Sequence, residues 1–510
     1  MRIGEMRRQH NAWVAIVPWP ALCETARTMI LGNYIDGQWS APRTGATLTK
    51  HNPADVRDII GEFPASSAVE VQDAVTAAQR ALPAWRALSY DARAQFLYRA
   101  SAAIAARQTD IAAALTREEG KSLAEANGET GRGAMILRYF AAEGLHGVGE
   151  VLPSINASTL LFTDRVPLGV VGLITPWNFP VAIPVWKAAP ALVYGNTVVF
   201  KPSEHSPLTA QMITEVFHET GMPAGVFNLV QGGRETGEAL SLANGIHGIS
   251  FTGSVATGKA IARVCVDRGL RYQLEMGGKN PVVILEDANL DRAVELTVQG
   301  AMKSAGEKCT ATSRVIVIES IADEFIRRLT ARFQQLTTGP GTDSGFYLGP
   351  LISAAACSKA IRYVEEAVGS GAQLLAGGAI SGRTDLAHGH FMAPTLLDNV
   401  RPDMTIAQEE VFGPVLAILR VPDFDAAIRV ANNVSFGLSA SVFTRSLDKA
   451  MRFAREVEAG LVRINGETAG VEPQAPFGGM KNSSSFSREQ GQAARDFYTQ
   501  VKTISIDRAD

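Results

Sequence analysis

Two hydrophobic patterns divide the chain. Between about 65 and 145, apolar residues recur at spacings of three and four in an alanine-rich background, which predicts helices over 69–84, 90–107 and 110–119. From about 168 the texture changes to short runs of β-branched and apolar residues at 169–174, 196–200, 226–229 and 248–251. Helical segments at 186–193, 208–220 and 236–243 separate them. Strands alternating with helices predict a parallel, doubly wound sheet. A second alternation follows, with strands at 282–285, 314–319, 415–420 and 441–444 and helices at 291–305, 321–336, 353–369 and 425–430, so a second α/β domain is expected. The closing run 501–506 alternates and is a candidate strand for another subunit's sheet. No repeat of solenoid period is present.

Size and composition narrow the class. A chain of 510 residues exceeds what one core organises, so two or more domains are expected. A net charge of −3 argues against a nucleic-acid partner. The most apolar stretch, 168–200, is interrupted by Pro176, Pro180, Pro184 and Pro190 and carries Asn178 and Lys187, so no membrane span is read there. The four cysteines (Cys23, Cys265, Cys309 and Cys357) form no Cys-x-x-Cys pair. No zinc or disulfide framework follows, and a reducing cytoplasm is the expected setting. Residues 1–28 put arginines before an apolar run that holds Pro18 and Pro20. They read either as a weak export-like leader or as an extension from an upstream start, and are kept out of the fold.

Several segments could carry chemistry. Cys309 follows Gly306-Glu307-Lys308. A lone cysteine is ordinarily a small core hydrophobe, but this polar, basic approach favours exposure, and Lys308 could lower the thiol pKa. Glu275, followed by Met276, Gly277 and Gly278, either ends a strand or presents a carboxylate able to activate water. Asn178, between Pro176-Trp177 and Phe179-Pro180, either caps a turn or donates its amide to an oxyanion. Phe251-Thr252-Gly253-Ser254, with Gly258, links a predicted strand to a predicted helix at 259–266, where helix N–H groups can face a phosphate. Lys201 and Glu204 lie just past a strand end, where such folds read ribose hydroxyls, or form a surface ion pair.

Taken in order, seven segments closely resemble the aldehyde dehydrogenase family: Thr175 to Pro180, Lys201 to Glu204, Phe251 to Ser254, Glu275 to Lys279, Cys309, Glu409 to Pro414, and Pro476 to Lys481. The resemblance runs from about Met29 to the C-terminus. It implies an NAD(P)-binding domain over 29–148 and 168–277, a catalytic domain over 278–482, and a small oligomerisation element from 149–167 and 483–510, in homodimers or homotetramers. It implies Cys309 as nucleophile, Glu275 as general base and Asn178 as oxyanion donor. Thr175, Trp177, Lys201, Ser203, Glu204, Gly253, Ser254, Gly258, Glu410 and Phe412 fall at cofactor positions. NAD is favoured over NADP because Glu204 would accept from a free 2′-hydroxyl and repel a 2′-phosphate. Neither a metal nor a nucleic-acid or membrane partner is implied. Intact Glu275 argues against a CoA-acylating relative, and Cys309, Glu275 and Asn178 together argue against a non-catalytic scaffold.

The same resemblance places Arg132, Phe179, Trp186, Lys303 and Phe477 on the aldehyde funnel. A cation such as Arg132 suits a carboxylate-bearing aldehyde, since its planar fork can bind both oxygens. Ser483 to Gly491 and Cys309 to Arg314 look most like dehydrogenases of 2-oxoglutarate semialdehyde (2,5-dioxopentanoate); succinate semialdehyde or a broad aliphatic range is the alternative. Met276 replaces the more usual leucine, and 481–487 lacks the glycines many relatives have there.

Overall fold

A computed structural model describes residues 29–509 apart from 31, 44, 147–148 and 381. Residues 1–28, with Cys23, lie outside it.

Two seven-stranded sheets organise the chain. In the first, the strands Arg271–Glu275, Gly248–Thr252, Val170–Ile174, Thr197–Lys201 and Phe227–Leu229 lie side by side and parallel. Asn33–Ile35 and Gln38–Ser40 extend it antiparallel at one edge. Val170–Ile174 and Thr197–Lys201 are buried at every position. A parallel sheet covered on both faces requires such unbroken apolar runs, which is why they stand out in the sequence.

The second sheet runs in the order Gln373–Ala376, Thr395–Asp398, Val415–Val421, Thr312–Ile318, Asn280–Ile284, Ser439–Phe443 and Leu461–Ile464, all parallel except the first pair. Each predicted strand is present within two residues. The predicted α/β domains are thus two doubly wound layers with separate apolar cores.

Four helices precede the strand Val170–Ile174, one more than the periodicity picked out: Ala68–Ala87, Tyr90–Ala106, Gln108–Glu119 and Leu123–Glu143. The fourth has a full capping box, Ser122 and Glu125. Gly128, Gly131 and Gly133 dilute its apolar stripe. Gly133 lets the helix approach the 175–181 segment: a Cβ there would sit 2.9 Å from Val181 Cγ1.

One expectation is corrected. The helix predicted over 291–305 stops at Met302, because Ser304 and Ala305 turn into the left-handed region (φ 52° and 50°). The closing strand, Thr499–Ile506, pairs antiparallel with Leu160–Pro167 of its own chain and forms the edge of that sheet. Val151–Leu152 completes that small sheet. The segment before it does not belong to the sheet: Phe497 and Tyr498 are buried in the core of the first domain, and Ser484 reaches Glu275.

Candidate active site

Cys309 sits at the end of a loop fixed from three sides. Ser304, Ala305 and Gly306 form a left-handed turn (φ 52°, 50° and 72°) that reverses the chain after its helix. The Asn178 amide Nδ2 donates to Glu307 O at 2.9 Å. Asn280 Nδ2 donates to Cys309 O at 2.8 Å and to Ala311 O at 2.9 Å, and Thr468 Oγ1 donates to Thr310 O at 2.7 Å. Cys309 itself is half-buried, while Glu307 and Lys308 are buried, contrary to the exposure read from their polarity.

The thiol pKa is pushed up to about 12, first by burial, then by the Glu410 and Glu275 carboxylates; the backbone N–H groups of Thr310 and Cys309 act in the opposite direction. The expected lowering by Lys308 is therefore not what the site produces. Lys308 is itself desolvated, with Glu467 the strongest opposing influence on it.

Glu275 closes the strand Arg271–Glu275 and is 1% exposed. Its Oε2 accepts from Ser484 Oγ at 2.5 Å, and its Oε1 has no hydrogen-bond partner among the described residues. Burial, then the Glu489 carboxylate, raise its pKa well above the ordinary carboxylate value, against the pull of Ser484 and Lys187. Glu489 accepts from Trp186 Nε1 at 2.7 Å and pairs with Lys187, which also donates to Ser250 Oγ at 2.9 Å.

A second buried pair positions Asn178. Lys121 Nζ lies 2.7 Å from Glu129 Oε2, donates to Asn178 O at 2.7 Å and stands 4.2 Å above the Phe179 ring. The other Glu129 oxygen accepts from Val181 N and Ala182 N at 2.9 and 3.1 Å. Sequence reasoning missed Lys121, Glu129, Lys187 and Glu489. The one available signal was a charge inside an otherwise apolar helical run, as at Lys187.

The order of the first sheet reverses between Val170–Ile174 and Gly248–Thr252, the place where such sheets bind dinucleotides. Thr175 and Thr252, at the carboxyl ends of these two strands, each bury a hydroxyl with no partner among the described residues. Gly253 leads into the helix Val255–Arg268, capped by Ser254 accepting from Thr257 N at 3.3 Å. Gly258 lies against Met276, where a Cβ would meet Sδ at 2.5 Å.

Lys201 and Glu204 stand 3.8 Å apart, the lysine buried and the glutamate half-buried, while Ser203 Oγ accepts from His205 N at 3.2 Å. Trp177 is edge-on to Phe412 at 5.8 Å. Glu410 accepts from Gly278 N at 2.9 Å, and burial raises its pKa to about 6. Unpaired hydroxyls, a glycine-led helix N-terminus and a carboxylate beside a lysine fit a dinucleotide's phosphates and sugars.

The sequence and the fold point the same way in comparison with known proteins. The model of the aldehyde dehydrogenase family matches residues 39–504. The chain belongs to the aldehyde dehydrogenase family. Its reaction is accordingly the NAD(P)-dependent oxidation of an aldehyde. It is 49% identical over 475 residues to the alpha-ketoglutaric semialdehyde dehydrogenase of Bacillus subtilis (strain 168), covering 93% of this chain and 97% of that one. It is 42% identical over 474 residues to the alpha-ketoglutarate semialdehyde dehydrogenase of Haloferax volcanii, covering 92% and 98%. The crystal structure of an NAD-dependent aldehyde dehydrogenase from Sinorhizobium meliloti superposes with a TM-score of 0.91 at 35% identity, covering 95% and 96%.

In this aldehyde dehydrogenase the expected funnel residues fall into two groups. Trp186 and Phe477 pack with ring centroids 5.3 Å apart, and Phe477 exchanges backbone hydrogen bonds with Glu489 (2.6 and 2.7 Å). Arg132 lies beside them, its Nη2 donating to Val471 O and, at 3.4 Å, to Gln490 Oε1. It forms no ion pair among the described residues, and burial lowers its pKa. Lys303 instead reaches back along its own helix, Nζ 3.5 Å from Gln299 Oε1.

Proposed function

We propose that the chain oxidises 2-oxoglutarate semialdehyde to 2-oxoglutarate, with Cys309 as nucleophile, Glu275 as general base and Asn178 as oxyanion donor. The observation that carries the chemistry is the meeting of a pinned cysteine, a buried carboxylate with one unpartnered oxygen and an amide with one N–H to spare. The substrate reading draws on the names of the Bacillus and Haloferax relatives and on Arg132, a guanidinium with no ion-pair partner among the described residues. NAD is the favoured cofactor, because Glu204 would repel a 2′-phosphate.

Cys309 reacts as thiolate, so its proton must leave to solvent before the attack. The sulfur bonds to the aldehyde carbon. The developing oxyanion takes the second Asn178 N–H and the Cys309 backbone N–H. A bound dinucleotide would supply the hydride acceptor, and loss of hydride from the adduct would leave a thioester on Cys309. Glu275 then removes a proton from water as its oxygen attacks the thioester carbon. The C–S bond breaks, and the acid and the thiolate separate. Arg132 holds the substrate's carboxylate during both halves.

The small sheet carrying exposed Val151, Leu160, Val501 and Ile506 is read as the self-association surface of a homodimer or homotetramer; a monomeric mass by light scattering would overturn that. For the reaction, the decisive test compares initial rates of NADH and NADPH formation on 2-oxoglutarate, succinate and glutarate semialdehydes and hexanal, for wild type, Cys309→Ser and Arg132→Ala. We expect the highest kcat/KM on 2-oxoglutarate semialdehyde with NAD, its loss in Cys309→Ser, and a raised KM for the acidic aldehydes alone in Arg132→Ala. Equal turnover of hexanal would retire the substrate reading, and an active Cys309→Ser would retire the nucleophile.

A further inference from the structure

Gln490 is wholly buried, yet its backbone adopts φ 58°, a left-handed conformation that a non-glycine residue holds only where its surroundings impose it. Its carbonyl accepts from Ala494 N at 3.2 Å, which anchors the residue at the start of the Ala494–Tyr498 turn. The side chain points elsewhere: Oε1 lies 3.4 Å from Arg132 Nη2. Its Nε2, also buried, has no hydrogen-bond partner among the described residues. A buried amide donor without an acceptor is rare in folded proteins and calls for an explanation. Because Oε1 faces the guanidinium, the amide orientation is fixed, and the unsatisfied atom is the donor.

The neighbours of Gln490 belong to the site. Glu489, the preceding residue, acts on the Glu275 carboxyl and pairs with Lys187. The backbone of Glu489 is bonded to Phe477, while Arg132 bonds to Val471 on the same returning segment. Gln490 therefore joins the substrate-side cation to the wall that also holds the base.

We propose that Gln490 is a second specificity-determining residue: its Oε1 holds the Arg132 guanidinium in place, and its free Nε2–H donates to the carboxylate of the aldehyde substrate that Arg132 binds. The inference rests on the Arg132 reading above. A guanidinium and an amide N–H on one side of the site form a donor set for an acidic group, and a neutral aldehyde leaves both unpaired. Sites built this way reject a substrate lacking the acceptor far more strongly than an apolar pocket rejects a shorter chain.

The test measures kcat and KM on 2-oxoglutarate semialdehyde and on pentanal, with the full-length enzyme and Gln490→Glu, Gln490→Leu and Arg132→Ala. Gln490→Glu keeps the shape, turns the donor into a charged acceptor and gives Arg132 a carboxylate partner. It should raise KM for the acidic aldehyde by about tenfold or more, with pentanal within about twofold. Gln490→Leu should act in the same direction; if the strained backbone prevents it from folding, the isosteric glutamate variant still decides. Equal factors on both aldehydes, or an unchanged KM for the acidic one in Gln490→Glu, overturn the proposal. If Arg132→Ala abolishes the preference for the acid while the Gln490 variants keep it, Gln490 alone is refuted. If Arg132→Ala leaves the preference intact, the substrate reading falls and this inference falls with it.

Discussion

Replacing Glu275 by glutamine separates the two halves of the reaction. The side chain is buried, one oxygen is held by Ser484 at 2.5 Å and the other has no partner among the described residues, so glutamine fits the same space and removes only the ability to accept a proton. General-base catalysis of this kind contributes about 10²–10⁴-fold, roughly 3–5 kcal/mol of barrier. In Glu275→Gln we expect steady-state turnover to fall by that factor through slow thioester hydrolysis. Acylation should survive, because the thiol loses one of the negative charges that keep it protonated. Stopped-flow absorbance should then show a burst of reduced cofactor approaching one equivalent per active site, followed by a slow phase. The pH dependence has a definite sign. The carboxyl pKa is raised, so the base becomes active only as pH rises through a value above the usual carboxylate range, and wild-type turnover should climb with that ionisation. The variant should lack this limb. The raised pKa also means that the neutral acid is the form the fold favours, so its stabilisation is lost as pH rises through the folded value. Glutamine mimics the neutral acid, and Glu275→Gln should melt no lower than wild type at pH 8. Turnover within tenfold of wild type, or loss of the burst along with the turnover, would refute the assignment of Glu275 to hydrolysis.

Glu204 is half-buried and stands 3.8 Å from buried Lys201. Removing its charge in Glu204→Gln should raise the NADP/NAD ratio of kcat/KM by about tenfold, the scale of one screened charge–charge contact; an unchanged ratio would show that Glu204 does not set the preference. Lys187 is fully buried against Glu489 and Ser250, so Lys187→Met leaves a carboxylate without its counter-ion. The cost should be about 3–5 kcal/mol, read as a lower denaturation midpoint, and most of it should return in Lys187→Met/Glu489→Gln. A midpoint no higher in the double variant than in the single one would contradict this electrostatic account.

The parts of the fold legible in the sequence are those whose packing imposes a local pattern. Val170–Ile174 and Thr197–Lys201 are buried on both faces and read as continuous apolar runs. The Leu123–Glu143 helix was not separately legible, because close contact with the 175–181 segment demands glycine at 133 and the other glycines thin its stripe further. Asn33–Ile35 and Gln38–Ser40 are three residues each, too short for a period to register. At the site, the order of the short motifs identifies the family, and the structure then brings Cys309, Glu275, Glu410 and Asn178 into one neighbourhood.

What the motifs could not convey is protonation. Beside Cys309 the sequence puts a lysine, which suggests a lowered thiol pKa, and the fold reverses this. Burial acts on the sulfur and on Lys308 alike, raising the pKa of the one and lowering that of the other. The charges that do reach the thiol come from Glu410 and Glu275, on other segments, and the Glu275 carboxyl is governed in turn by Glu489 and Lys187. A local motif can name the atom that reacts because it fixes backbone geometry over a few residues. The state in which that atom waits depends on which distant charges the fold buries beside it, and that information is carried by the packing of the two domains and the returning C-terminal segment.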